Sequence, residues 1–98
     1  MTQNFLLIGR ICTIDAHKLA MKLVILVKHI GYKPHIYYLP RKIEIRTASE
    51  KSVIKLVLEK LPYTIDTHCW SIYLNKEPIY EIRSTLINAI KIIVSTLI

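Results

Sequence analysis

Asp15, His17, Asp66 and His68 are the residues of this 98-residue chain whose types could together hold a divalent metal. Mixed imidazole and carboxylate donors suit zinc, manganese or iron. A water bound to such a metal would give hydrolysis, the chemistry of a metal-dependent nuclease. The four sit in two matching pentapeptides, Thr13 to His17 (TIDAH) and Thr64 to His68 (TIDTH). Simpler roles compete for each of them. Asp15 stands where a helix N-cap belongs, His17 falls on the turn after it, and Asp66 and His68 stand at a strand start. The two cysteines, Cys12 and Cys69, could form a cross-strand disulfide or redox pair, but an intracellular setting disfavours a standing disulfide, and free buried cysteines are the expectation. Two cysteines make no secreted disulfide framework. The chain has no Gly-rich phosphate loop, no nucleophile elbow and no Ser-His-Asp order. No catalytic residue and no cofactor is therefore expected, and binding is the better reading than catalysis.

Charge supplies the second set of candidates. Lysine and arginine number 14 against 7 acidic residues, a formal net charge of +7. That excess on so short a chain favours polyanions: nucleic acid, an acidic membrane surface or an acidic protein. It also serves to keep an isoleucine-rich chain in solution. Hydrophobic residues make up 52% and charged residues 21%, which excludes a disordered chain. The length fits one α+β domain over residues 1–98. Eighteen isoleucines with abundant lysine and tyrosine resemble the usage of an AT-rich or thermophilic genome. No signal peptide is visible at the N-terminus, and Lys22, Lys28 and Lys91 break the longest apolar stretches. A cytoplasmic (intracellular) protein with no membrane span is expected.

The apolar patterns name the elements that must position these residues. Phe5 to Ile14 reads as a central strand. Asp15 then caps a helix in which Leu19, Leu23, Leu26 and Ile30 share one face, and Gly31 and Pro34 mark its end. His35 to Leu39 and Lys42 to Thr47 read as two strands joined by a tight turn at Pro40 and Arg41. Ser49 caps an expected helix to Leu61, with Val53, Leu56, Val57 and Leu61 as its buried stripe. Thr64 to Leu74 is a further strand with Trp70, Ile72 and Leu74 on one side. Ile79 to Ile82 reads as a hairpin strand, and Ser84 caps a third helix to the C-terminus.

The first six elements give the order β-α-β-β-α-β, which resembles the ferredoxin-like split βαβ sandwich over residues 5–74, with an added C-terminal β-hairpin strand and third helix. The stretch from Leu19 to Leu61 resembles the helix-strand-strand-helix half of LAGLIDADG homing endonucleases. The acidic helix end that binds metal in that family has no counterpart here, so its activity does not carry over. A ferredoxin-like sheet lays the last strand antiparallel beside the first. Pairing residues whose numbers sum to 81 sets Asp15 opposite Asp66 and Cys12 opposite Cys69. Arg10, Tyr37, Lys42, Arg46 and Tyr73 then share the outer sheet face. With Lys33 they form a candidate nucleic-acid site, cations on phosphates and tyrosines under bases.

The last helix is apolar around most of its circumference. Leu86, Ile90, Ile93, Val94 and Leu97 are expected to form a homodimer interface, unless the helix covers the sheet. The leading function is a basic, non-enzymatic nucleic-acid-binding protein. The alternatives are a homodimeric interaction module or inhibitor with an acidic protein partner, such as a virus or mobile element encodes, and the metal-dependent nuclease.

Overall fold

The computed structural model describes residues 4–13, 15–47, 53–61 and 68–97, with only the backbone of Leu97. Seven elements follow in the order β1 (Phe5–Cys12), α1 (Ala16–His29), β2 (Pro34–Leu39), β3 (Lys42–Thr47), β4 (Lys55–Lys60), β5 (Cys69–Asn75) and α2 (Tyr80–Leu97). The five strands form one antiparallel sheet, ordered β1-β5-β4-β3-β2. The fold is mixed α+β, but the ferredoxin-like order and the third helix are not there.

Two expected elements changed type, each for a physical reason. The segment expected as a helix to Leu61 is β4. A short apolar run satisfies both periods. Val53, Leu56, Val57 and Leu61 make a helical stripe, while Ile54, Leu56 and Leu58 alternate strictly. Pairing decides between them. Leu56 and Leu58 lie between Ile45 and Ile43 of β3 on one side and Leu74 and Ile72 of β5 on the other. The likeness to the LAGLIDADG half loses its second helix with this change. The residues expected as a hairpin strand, Ile79 to Ile82, instead open α2, and Arg83 N–H donates to Ile79 O at 3.0 Å. Ile82, Leu86, Ile90 and Ile93 continue one helical stripe back past Ser84.

Other local signals act as expected. The Asp15 carboxylate accepts from Lys18 N–H at 2.8 Å and caps α1. Gly31 follows that helix at φ 97°, where a side chain would be strained. Asn75 clamps the end of β5 to the start of β4. Its side chain accepts from Lys55 N–H and donates to Val53 O, at 2.8 and 2.7 Å.

Both helices lie on the same side of the sheet. Leu19, Leu23 and Val27 of α1 and Leu86 and Ile90 of α2 share one core with Ile11, Ile43, Ile45, Leu56, Leu58, Ile72 and Leu74. Each such large side chain contributes roughly 1.5–3 kcal/mol by burial. A register shift between Leu7 and Gly9 inserts an extra residue in β1. Ile8 thereby turns toward the core along with Ile11. The opposite face of the sheet has no helix on it among the described residues.

The β2-β3 turn carries a testable strain. Pro40 and Arg41 form it, and Arg41 sits at φ 63°. Proline followed by a left-handed residue is the type II pattern, and that second position costs an ordinary residue about 1–2 kcal/mol. Arg41→Asn should raise stability by about 0.5–1 kcal/mol, read from thermal unfolding. Arg41→Val should lower it, since a branched side chain resists positive φ. The reverse order would contradict this turn.

Candidate functional site

The uncovered face is built from residues that alternate with the core. Because directly opposed residues share a face, the strand register lays them out in rows. One row runs Leu39, Lys42, Glu59, Ser71, Arg10. The next runs Tyr37, Glu44, Val57, Tyr73, Leu7. A third begins His35, Arg46, Lys55. Five of the six expected nucleic-acid contacts, Arg10, Tyr37, Lys42, Arg46 and Tyr73, therefore stand on one face. Lys33 lies beside it, exposed in the turn before β2.

A shallow concavity of about 630 Å³ occupies the middle of this face, with Lys42, Arg46, Lys55 and Tyr73 among its walls. Glu44 and Glu59 line it too. Glu44 is buried and tied to its neighbour on the strand. Its Oε1 accepts from Nε and Nη2 of Arg46 at 3.1 and 2.9 Å. The Arg46 guanidinium also lies over the Tyr37 ring, 4.5 Å from its centroid. The Glu44 side chain is 10% exposed and that of Arg46 is 43% exposed. Arg46 is thus held in place while still facing solvent, and part of its charge is already matched. Lys42 and Lys55 take part in no ion pair among the described residues. Sequence reasoning missed Lys55 because the helix assigned there gave it no sheet face. It missed Glu59 for the same reason.

Tyr37 and Tyr73 sit three strand spacings apart in their row, about 14–15 Å. Stacked bases rise about 3.4 Å per nucleotide. The two rings would thus hold bases that are not neighbours in one stack, which suits an extended single strand.

The remaining expected residues go elsewhere. Cys12 and Cys69 stand opposite each other, as the pairing sum of 81 places them, but they are joined by a disulfide, which overturns the expectation of free cysteines. His17 Nδ1 is hydrogen-bonded to the Tyr38 hydroxyl, and Asp15 is the cap of α1. Asp66 lies outside the described residues, and His68 is exposed just before β5. Among the described residues no group of three or more His, Cys, Asp or Glu is placed to hold a metal. Of the expected interface residues, Leu86 and Ile90 are fully buried in the chain's own core, and Ile93 and Val94 pack against it. The side chain of Leu97 is outside the described set. Ile25, Ile79, Tyr80 and Ile92 are the more exposed apolar residues of the helical layer and its approach. No helix among the described residues is long and apolar enough to cross a membrane.

Comparison with protein-family models, with curated proteins and with solved structures gives no match.

Proposed function

We propose that the uncovered sheet face binds single-stranded nucleic acid. The observation that carries this reading is the gathering of Arg10, Lys42, Arg46 and Lys55 with Tyr37 and Tyr73 on one face that neither helix covers. Cations there meet phosphates, and the rings stack on bases. The disulfide weighs against the cytoplasmic setting expected for the chain, since standing disulfides are rare there outside hyperthermophiles.

The test is anisotropy of labelled single- and double-stranded oligonucleotides at two salt concentrations. Four phosphate contacts give a slope of about −3 for log K against log salt. Affinity for the single strand should then fall about 50-fold between about 50 and 200 mM salt. Tyr73→Ala should cost about 1–3 kcal/mol, the worth of one stacked base. Glu44→Gln should strengthen binding several-fold, because it frees the charge of Arg46 and removes a carboxylate from the phosphate path. Absence of binding at the lower salt, or an affinity that ignores salt, would remove the proposal.

A second reading has an observation of its own. Glu44 and Glu59 stand in the middle of the face and repel a polyanion, as a surface for a protein partner would. Glu44→Gln separates the two. It tightens an oligonucleotide, and it leaves a protein partner unchanged or weakened.

A further inference from the structure

We infer that the outer edge of β2 is a docking site for an extended acidic peptide segment of another protein. The inference does not depend on the open face. In the strand order β2 is terminal, with β3 on one side and no strand on the other among the described residues. Its backbone polarity follows from the bonds beyond it. Thr47 N–H donates to Ile54 O and Lys60 N–H donates to Arg41 O, so the odd-numbered residues of β3 bond to β4. Lys42, Glu44 and Arg46 therefore bond toward β2, where they oppose Leu39, Tyr37 and His35. The backbone groups of Pro34, Ile36 and Tyr38 are left pointing outward.

Pro34 and Pro40 have no N–H, so they fence this edge to two donors, on Ile36 and Tyr38. Beside them Tyr37, Tyr38 and Leu39 are all more than 40% exposed. A bare edge with apolar side chains is a template for another strand.

Charge selects the occupant. From Ala16 to Ile43 the chain has no acidic residue, while it carries Lys18, Lys22, Lys28, Lys33, Arg41 and Lys42. A second copy on this edge would bring the same acid-free, cationic stretch against itself, and like charges facing each other are destabilising. A segment with carboxylates at its ends and apolar residues between them meets this cationic stretch favourably, beginning with Lys33, exposed just before β2.

The probe is a capped peptide with two glutamates at each end and Val-Thr-Val-Thr-Val between them. The control replaces every glutamate by lysine. Saturating acidic peptide should slow amide exchange at Ile36 and Tyr38 and leave Tyr73 and Lys55 unmoved. The lysine peptide should bind at least tenfold more weakly. Tyr38→Pro removes one outward donor while the bonds of Tyr37 and Leu39 to β3 remain. It should abolish peptide binding with an unchanged circular dichroism spectrum. If that variant loses its fold, Lys33→Glu serves instead, and it should narrow the preference between the two peptides. Equal binding of both peptides overturns the inference. So does unchanged exchange at Ile36 and Tyr38, their protection by an oligonucleotide in place of the peptide, or self-association that Tyr38→Pro removes.

Discussion

Leu58→Ala should destabilise the protein by about 2–5 kcal/mol, as much as Leu56→Ala, in urea unfolding. Val53→Ala should cost less than about 1 kcal/mol. Leu56 and Leu58 are both fully buried, whereas Val53 is 36% exposed. Two residues that alternate by two can both be core only in a strand. On the helical alternative the buried stripe is Val53, Leu56, Val57 and Leu61, and Leu58 turns outward. That alternative makes Val53→Ala the costlier change. The comparison matters beyond stability, because β4 brings Lys55 and Val57 onto the open face and sets the spacing between Tyr37 and Tyr73. A cheap Leu58→Ala with a costly Val53→Ala would dismantle the face itself.

The double variant Cys12→Ser, Cys69→Ser should lower stability by roughly 4 kcal/mol, measured against the parent without reductant. The bridge closes a segment 57 residues long, from β1 at one sheet edge to β5 beside it. Closing a loop of that length removes much of the entropy of the unfolded chain, which is the source of the effect on the chain-entropy account. Among the described residues β1 is held laterally by β5 alone, so the loss should appear first as faster amide exchange in β1. Arg10 would leave the open face with it. An unchanged midpoint, with free thiols titrating in the parent protein, would show that the sulfurs are not joined.

The sequence made several parts of this molecule readable because a local cause was written beside each. Asp15 and Gly31 bracket α1 with a cap and a left-handed stop. Pro40 and Arg41 separate two alternating strands, and those strands pair as a hairpin. The match of Cys12 with Cys69 and of Ile11 with Trp70 came from laying the last strand antiparallel beside the first at a sum of 81, a register that parity allows without fixing, and it holds up to the irregularity at Leu7 and Gly9. What was not readable depended on distant partners. Leu, Lys and Glu between Lys55 and Lys60 favour a helix intrinsically, and only β3 and β5 on either side make them a strand. Ile79, Tyr80 and Ile82 are β-branched or aromatic and suit a strand, yet Leu86 and Ile90 further on draw the same residues into a helix. The candidate site inherited both outcomes. Arg10, Tyr37, Lys42, Arg46 and Tyr73 sit on strands that were read correctly, while Lys55 and Glu59 were hidden in the one that was not. The bond between Arg46 and Glu44 links neighbours two apart on one strand, a spacing that the alternation of residues 42–47 already displayed.

The most direct measurement is an amide and side-chain shift map of the protein titrated with a labelled single-stranded oligonucleotide at low salt. The account predicts shifts at Arg10, Lys42, Arg46, Lys55 and Tyr73, with Met21, Ile25 and Ile92 on the helical side unmoved. Shifts confined to the helices, or none anywhere, would contradict it.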